Sequence, residues 1–417
     1  MASKQKIKHS LGILLSLLVV LANYSPQAQA LRNLPDAMRV RTGELHAVSI
    51  GWPFTLSGTD DGMQVLASSD ESIGVVGRQA GSSSLLVSAF GVPVKSVRVT
   101  VEPERMLIPG GQSIGATLST RGVLVVGTSE LSNAVESPAR AAGLREGDLI
   151  LTVNNQEVQS SAHLTELIGQ YGTNPLQLTY TRGGSNRTAT LSPVQDKLDG
   201  RPRLGLWVRD STAGVGTLSF YDPKTNHYGA LGHAISDIDT GVTLPVREGS
   251  ILESTVVGIR RGERGIPGEL QGSFLRDRVT LGNIRINNNF GIYGVANAPI
   301  ANPLYPKGLP VASQANVHTG PASILTTLDS GGVREYAVEI TRVARQTSAA
   351  QKSMTLRVTD PALLEKTGGI VQGMSGSPIL QDGRIVGAVT HVFVNDPTQG
   401  YGVFIEWMLE QSDSIQI

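Results

Sequence analysis

Short apolar stretches separated by glycine and aspartate run through most of this chain, and this punctuation constrains the fold more than any other feature. Residues 97–101 alternate as Val-Arg-Val-Thr-Val, the pattern of a strand with one buried face. Glycine accounts for 48 of 417 residues and aromatic residues for only 5%, which suits many short strands joined by tight turns. The sequence therefore predicts a mainly β protein, and its length predicts roughly two to three domains.

Residues 1–30 have the pattern of an export signal. Lys4, Lys6 and Lys8 precede an apolar run over 11–22, and Ala28-Gln29-Ala30 supplies the small residues of a cleavage site. The run is shorter than the roughly 18 to 20 residues that a membrane span needs, so a cleaved signal is favoured over an N-terminal anchor. We expect these residues to direct export across the cytoplasmic membrane.

Charge and cysteine content restrict the chemistry and the partners. Lys+Arg and Asp+Glu both total 35, so the formal net charge is +0 and no basic field indicates a nucleic acid partner. The chain has no cysteine, which excludes thiol nucleophiles, disulfides and zinc-thiolate sites. No metal or cofactor site is predicted. Residues 31–104 carry no obvious chemistry, and their strand pattern predicts a small β-sandwich-like module.

Residues 105–195 differ in pattern from what precedes them. A strand, an alanine-rich segment, a Glu-Gly-Asp turn, a second strand and an Asn-Asn turn follow one another at 122–127, 137–144, 146–148, 149–153 and 154–155. Leu164, Leu167 and Ile168 then recur at helical spacing and predict a helix over 161–171. In order and spacing these segments resemble a PDZ domain.

A PDZ domain binds a chain end by strand addition, and backbone N–H groups of a glycine-containing loop hold the terminal carboxylate. The resemblance implies that this loop comprises Ser113, Ile114, Gly115 and Ala116. The alternative is that Gly115 only permits a turn. The ligand stays open: an internal segment, another protein and this chain's own apolar end, Ile415-Gln416-Ile417, are all candidates.

The segment 373–378 reads Gly-Met-Ser-Gly-Ser-Pro and carries the most chemical information. It resembles the G-x-S-G-G-P turn of chymotrypsin-like peptidases, with Ser377 in place of the second glycine. Glycines let the chain bend so that the N–H groups of Gly373 and Ser375 converge on one developing oxyanion. A strand, a turn and a second strand follow over 379–390. We predict Ser375 as the nucleophile, those two amides as the oxyanion hole, and a double β-barrel peptidase domain over 196–417.

A serine hydroxyl needs a base within hydrogen-bond reach. Among seven histidines, His227, His233 and His391 have a suitable context. His233 stands between Gly232 and Ala234, whose small size lets a ring approach a neighbouring strand end, and it precedes the serine as chymotrypsin order requires. We predict His233 as the general base.

The acid that orients the imidazole is less constrained, because one well-placed oxygen suffices. Asp360, Asp237 and Asp239 are the candidates. The last two lie so close to His233 that they could cap a turn instead. Asp360 precedes Pro361, where a helix N-cap is the structural alternative. These residues alone leave the choice open.

Several motifs occur in a fixed order. The PDZ pattern precedes the peptidase pattern, 107–113 reads Leu-Ile-Pro-Gly-Gly-Gln-Ser, 232–235 reads Gly-His-Ala-Ile, and the turn 373–378 follows. Together they resemble the SpoIVB sporulation peptidases, from residue 105 to the C-terminus. In that family a His, an Asp and a Ser form the triad and the Asp lies shortly upstream of the Ser, which implies Asp360 here.

The resemblance also implies a biological role. It implies release from the forespore into the space between the two spore membranes, self-cleavage, and cutting of a regulatory membrane protein that restrains pro-sigma-K processing. The leading hypothesis is thus a serine endopeptidase acting on protein or peptide substrates, with the PDZ groove gating cleavage. The rivals are a catalytically inert PDZ adaptor and a quality-control protease of the periplasmic type, in which the protease precedes the PDZ domain.

Overall fold

The structure, a computed structural model, describes residues 24–43, 45–58, 60–68, 72–132, 136–274 and 279–416. They fall into two units. The first runs to Arg105 and includes Ser313–Asn316, and the second begins at Met106. Strands dominate both units, as the sequence predicted.

The first unit is a β-sandwich, which confirms the predicted class of this module. Its elements are α1 Pro26–Asn33, β1 Ala37–Arg41, β2 Leu45–Val48, β3 Phe54–Gly58, β4 Met63–Ser68, β5 Ile73–Gly77, β6 Gly81–Ala89, β7 Val92–Glu102 and a 3-10 helix at Gln314–Asn316. One sheet has the order β1-β7-β6-β3 and the other β2-β5-β4. Alternate residues such as Leu85, Val87, Val97 and Val99 are buried between the sheets, because a strand turns every second side chain to one face.

The predicted export signal falls largely on residues 1–23, which lie outside the described residues. Ala28, Gln29 and Ala30, the predicted cleavage site, lie in α1, which begins after the N-cap Ser25. No helix in the described ranges is long and apolar enough to cross a membrane. The signal therefore stays a prediction.

In the first part of the second unit, the described residues form sixteen strands and two helices. They are β8 Met106–Pro109, β9 Ser113–Thr128, α2 Pro138–Ala141, β10 Leu149–Val153, β11 Gln156–Glu157, α3 Ser161–Tyr171, β12 Leu176–Arg182, β13 Ser185–Leu191, β14 Val194–Gln195, β15 Pro202–Arg203, β16 Leu206–Tyr221, β17 His227–Ala230, β18 Val246–Glu253, β19 Thr255–Arg260, β20 Glu269–Ser273, β21 Thr280–Asn288, β22 Gly291–Ala296 and β23 Leu309–Pro310. Six of these strands pair in the cyclic order β9-β18-β21-β22-β17-β16 and close a first barrel.

The second barrel is built from the C-terminal part of the chain. Its elements are β24 Gly320–Thr327, β25 Val333–Val343, β26 Met354–Val358, α4 Pro361–Thr367, β27 Pro378–Gln381, β28 Arg384–Phe393, β29 Asp396–Phe404 and α5 Ile405–Asp413. The strands close in the order β24-β25-β26-β29-β28-β27. Two closed six-stranded barrels in one unit confirm the predicted chymotrypsin-like class.

The PDZ part is built on the outer halves of β9 and β16. Strand β9 pairs there with β10, β10 with β12, and β12 with β13. The predicted helix and second strand are confirmed at Ser161–Tyr171 and Leu149–Val153. Ser160 caps α3 by accepting a hydrogen bond from the backbone N–H of His163, and Leu164, Leu167 and Ile168 are buried beneath it.

The inner half of β9 overturns one prediction. Ser113, Ile114, Gly115 and Ala116 do not form a carboxylate-binding loop, because they pair with β16 on one side and β18 on the other as a wall of the first barrel. Their backbone therefore has no open edge to which a peptide could add. A Cβ atom on Gly115 would lie 2.4 Å from the Phe274 ring, so the glycine admits an aromatic side chain.

The barrel thus starts before the PDZ part rather than after it. Strand β9 leaves the barrel, the PDZ elements follow, and β16 returns beside β9 to re-enter the barrel. The predicted ranges 105–195 and 196–417 share this one unit. The PDZ part is an insertion between two neighbouring barrel strands.

Candidate active site and peptide groove

The turn that carries Ser375 lies between α4 and β27 and depends on two glycines. Gly373 has φ +93° and Gly376 has φ +97°, a region that side chains with a Cβ atom avoid. At Gly376 a Cβ atom would also lie 2.1 Å from the carbonyl oxygen of Thr217. The turn therefore requires glycine at 376 on two grounds, backbone conformation and space.

The backbone N–H groups of this turn divide into two sets. Met374 donates to Val371, Gly376 donates to Val389 at 2.7 Å, and Ser377 donates to Met374. The N–H groups of Gly373 and Ser375 donate to none of the described residues. They are the two donors that the sequence predicts for the oxyanion hole, and two unbonded donors are what an incoming oxyanion needs.

The two serines of the turn have different surroundings. Ser375 is half-buried, and its hydroxyl donates to the carbonyl oxygen of Thr390 on β28 at 2.7 Å. Ser377 is buried, and its hydroxyl has no hydrogen-bond partner among the described residues. Only Ser375 is therefore accessible to a substrate.

His233 lies just beyond the end of β17. Its Nδ1 is 2.8 Å from the carbonyl oxygen of Ala234, and its ring centroid is 5.1 Å from that of His391. When Nδ1–H donates to this carbonyl, Nε2 is left as a proton acceptor. Burial lowers the pKa of His233, which favours the neutral imidazole that a general base requires.

Base and nucleophile meet at one end of β28. The Ser375 hydroxyl contacts Thr390, and the His233 ring contacts the adjacent His391. Gly232, next to the histidine, approaches Thr390 so closely that a Cβ atom would lie 3.1 Å from its methyl group. No hydrogen bond joins His233 to Ser375 in the part of the chain that the structure describes, because the Ser375 hydroxyl donates to the Thr390 carbonyl instead.

Asp360 is the N-cap of α4. Its carboxylate accepts hydrogen bonds from the backbone N–H groups of Leu363 at 3.0 Å and Ala337 at 3.3 Å. No hydrogen bond or ion pair links it to His233 within the described ranges, so its role as the triad acid stays a prediction.

The two alternative acids serve the loop after His233. Asp237 is buried, is paired with Arg209 and accepts from Thr240, while Asp239 pairs with the same guanidinium at 2.8 Å. Although burial acts in the opposite direction, the hydrogen bonds from Thr240 and Arg209 hold the pKa of Asp237 below its ordinary value. Neither carboxylate bonds to His233 among the described residues. Their bonds stabilise the loop after His233, which is the alternative role that the sequence indicated for these two aspartates.

The other two candidates for the general base, His227 and His391, have different surroundings. His227 opens β17 and is buried, and neither of its ring nitrogens has a partner in the described residues. His391 is exposed beside His233. Although the residue as a whole is exposed, partial desolvation by its surroundings and the charges of His233 and Lys352 lower its pKa. His391 is thus the second histidine near the nucleophile.

A groove of about 380 Å³ lies between α3 and the start of β16. Leu164, Thr165 and Ile168 line it from the helix, and 204–208 lines it from the strand. The segment Leu206–Arg209 pairs only with β9, so among the described residues its other edge is open toward the helix. An open strand edge beside a helix with an apolar lining is the arrangement that accepts an added peptide strand.

Sequence reasoning missed this strand because it lies beyond residue 195, where the PDZ pattern was predicted to end. The available signal was Leu204-Gly205-Leu206, a glycine between two apolar residues at the start of a strand. Gly205 has φ +66°, and a Cβ atom there would lie 2.6 Å from the carbonyl oxygen of Ser129. The glycine is therefore required by the turn into β16.

Comparison with known families decides the affiliation. The SpoIVB peptidase S55 family profile matches residues 200–409, which contain His233, Asp360 and Ser375. The chain belongs to this family. It is a serine peptidase by family, and a PDZ domain profile matches residues 114–192 ahead of it.

Curated relatives match shorter stretches of this chain than the family profile does. A "Zinc metalloprotease RasP" of Shouchella clausii is 37% identical over 83 residues, 19% of this chain and 18% of that protein. A "Putative zinc metalloprotease" of Treponema pallidum is 25% identical over 119 residues, 28% of this chain and 26% of that protein. The chain thus spans about a quarter or less of these relatives. Among the described residues no group of three His, Cys, Asp or Glu side chains could hold a metal ion.

Solved structures resemble separate parts of the chain. The PDZ domain of an SdrC-like protein from Listeria monocytogenes is 24% identical, covering 21% of this chain and 87% of its own, with a TM-score of 0.19. The active form of the Rv3671c protease from M. tuberculosis is 15% identical, covering 49% of this chain and 76% of its own, with a TM-score of 0.28. The HtrA-type protease AlgW with a decapeptide is 10% identical, covering 51% and 53%, with a TM-score of 0.30.

Proposed function

We propose that this chain is an exported serine endopeptidase that cuts proteins at the Ser375 turn under the control of its PDZ groove. One observation carries the proposal above all: the turn leaves the N–H groups of Gly373 and Ser375 unbonded beside an accessible serine hydroxyl, while its other amides are engaged. A turn that served only structure would have no reason to leave two neighbouring donors unbonded.

The chemistry follows from these positions. The Ser375 hydroxyl leaves the Thr390 carbonyl and gives its proton to Nε2 of His233 as its oxygen attacks the scissile carbonyl carbon. The oxyanion that forms accepts hydrogen bonds from Gly373 and Ser375. His233 then protonates the leaving amine, and an acyl-enzyme remains. Water, deprotonated by the same histidine, attacks the ester and releases Ser375.

Asp360 is the acid that we propose for the triad, on the strength of the family pattern. As the cap of α4 it is held by two backbone N–H groups. To reach the imidazole, the helix start and the segment after β17 would have to approach each other when substrate binds. Until then the Ala234 carbonyl orients His233.

The family also suggests where the peptidase acts. We propose export into the space between the two spore membranes, self-cleavage, and cutting of a membrane protein that restrains pro-sigma-K processing. The groove beside α3 would take the substrate or the enzyme's own released N-terminal segment. The chain's C-terminal end is a weaker candidate, because Ile415 is buried in the core of the second barrel.

Labelling with a phosphonofluoridate probe tests the catalytic claim. The probe should modify Ser375, and Ser375→Ala should abolish labelling, substrate cutting and self-cleavage while the fold persists. Ser377→Ala is the matched control, two residues away in the same turn, and should be mild because that hydroxyl has no partner. Labelling at another residue, or none in the folded protein, would favour the inert adaptor instead.

A further inference from the structure

Thr217 lies on the barrel half of β16 and is buried, with 1% of its surface exposed. Its hydroxyl donates to the carbonyl oxygen of Gly373 at 2.7 Å, and its backbone N–H donates to the carbonyl oxygen of Ser375 at 3.0 Å. One residue thus holds the two carbonyls of the turn that belong to the oxyanion donors.

These bonds fix two peptide planes at both ends. The carbonyl of Gly373 is held by Thr217 and the N–H of Met374 by Val371. The carbonyl of Ser375 is held by Thr217 and the N–H of Gly376 by Val389. The N–H groups of Gly373 and Ser375 belong to the planes that precede these two, so fixing the plane on the other side of each residue limits how far either N–H can turn.

Restraint is needed because glycine gives the turn freedom. Gly373 and Gly376 both adopt positive φ, and a glycine backbone moves between wells at little energetic cost. A change in φ or ψ at Gly373 would rotate the plane that carries its N–H relative to the plane that Thr217 holds, and the N–H would then lose its direction. The Thr217 hydroxyl opposes that rotation.

We propose that Thr217 is a positioning residue whose hydroxyl holds the oxyanion turn in its productive conformation. The inference rests on the proposed peptidase function. Thr217 is buried and bonds to the turn through the backbone carbonyls of Gly373 and Ser375, so it acts through these two residues.

The test compares Thr217→Val with Thr217→Ser. Valine keeps the shape and removes the donor, while serine keeps the donor. Loss of one oxyanion donor lowers turnover by about 10² to 10³-fold, and an indirect restraint should matter less, so we expect kcat to fall about tenfold in the valine variant. KM should stay within about twofold, and the serine variant should be close to wild type. Thr212→Val, on the same strand, is the control.

Inhibitor binding separates positioning from general loosening. A peptide boronate, which forms a tetrahedral adduct with the serine, should lose affinity in Thr217→Val by the same factor as kcat. An uncleaved substrate analogue should bind unchanged. Equal losses for both ligands would overturn the inference.

The outcomes distinguish this inference from the function on which it rests. If wild type labels at Ser375 and Thr217→Val turns over and binds boronate normally, the positioning role is refuted while the peptidase stands. If wild type neither labels nor cuts, the proposed function fails. If the valine variant does not fold, Thr217→Cys replaces it, since a thiol is a weak donor of similar size. A cysteine variant as active as Thr217→Ser would then overturn the inference.

Discussion

At the scale of single residues, the side chains of the site are held by backbone carbonyls. Ser375 donates to Thr390, and His233 lies against Ala234. The Ser375 hydroxyl and Nδ1 of His233 thus both have a partner before substrate arrives, which avoids the penalty of leaving these groups unpaired. Catalysis therefore requires the serine hydroxyl to exchange a carbonyl partner for the imidazole.

The triad acid can be tested without disturbing its helix. Asn caps a helix about as well as Asp, so Asp360→Asn should leave the thermal midpoint nearly unchanged. If Asp360 orients His233, turnover on a peptide substrate should fall by up to about four orders of magnitude, as in the well-studied triad. Asp237→Asn and Asp239→Asn are the controls. Normal turnover in the first and collapse in either control would move the acid to the loop after His233.

The pH dependence of cleavage follows from burial of His233. Burial lowers its pKa from the ordinary value of 6.5, and only the neutral imidazole can accept the serine proton. The acid limb of kcat/KM should therefore have its midpoint below pH 6.5. The free energy of unfolding depends on pH in the same direction. Because the unfolded chain binds the proton more readily than the folded one, the contribution of His233 to stability is complete above pH 6.5 and declines as pH falls.

A pH series of kcat/KM measures this directly. His163→Gln is the control, because His163 lies on α3 in the PDZ part and forms no contact with His233 among the described residues. The midpoint should not move in that variant. A midpoint above pH 6.5 in the wild type would contradict a buried base.

The sequence could predict residues that carry a chemical signature. Ser375 and His233 stand in glycine-rich motifs, and the structure brings both to one end of β28. Thr217 could not be predicted, because a threonine within a strand has no signature of its own. Its role depends on a turn that lies more than 150 residues away along the chain.

At the scale of elements, β16 joins three functional places. Leu206–Arg209 borders the groove, Arg209 pairs with the loop after His233, and Thr217 holds the oxyanion turn. A single strand therefore contacts the binding, base and oxyanion regions. Local patterns predicted α3 and β10 correctly, but they could not show which distant strand would complete the groove, because pairing between β9 and β16 is long-range.

Two neighbouring positions of α3 test the groove. Thr165 and Glu166 are both exposed, but only Thr165 lines the groove. Thr165→Tyr should fill part of it and raise the Kd of a fluorescent peptide with an apolar end at least tenfold, an effect of about 1.4 kcal/mol. Glu166→Tyr adds the same side chain outside the groove and should bind normally. Affinity is measured by fluorescence anisotropy. Equal affinities for the two variants would show that the peptide does not bind in this groove.

At the scale of the whole molecule, the insertion of the PDZ part between β9 and β16 decides how the second unit folds. Ile114, Ala116 and Leu118 on β9 are buried in the first barrel or beside it, and Leu204 is buried in the PDZ core. Domain order along the sequence, PDZ then peptidase, therefore hides an interleaved arrangement. Apolar periodicity gives the same strand pattern whether a strand belongs to one domain or to two.

Fragment folding tests the interleaved boundary. A fragment of residues 105–195 lacks Leu204 and the pairing strand Leu206–Arg209, and it exposes the barrel face of β9. It should show poor dispersion of amide proton resonances and no cooperative thermal transition. A fragment of residues 122–210 retains the PDZ core. It should show well-dispersed amide proton resonances and a cooperative thermal transition. The reverse result would restore the boundary that the sequence predicted.

The continuous strand between the groove and the nucleophile also sets the distance between these two places. Val208 borders the groove and Thr217 contacts the Ser375 turn, nine positions further along the strand. At about 3.3 Å per residue this is at most about 30 Å, because the pairing with β9 shifts register between Arg209 and Ser211, and paired strands rather than a flexible linker set it. This distance would set the minimum length of a substrate that is bound in the groove and cut at Ser375. A substrate docked by its end would need up to about nine extended residues before the cut bond, and a peptide too short for that distance could be bound or cleaved, but not both at once.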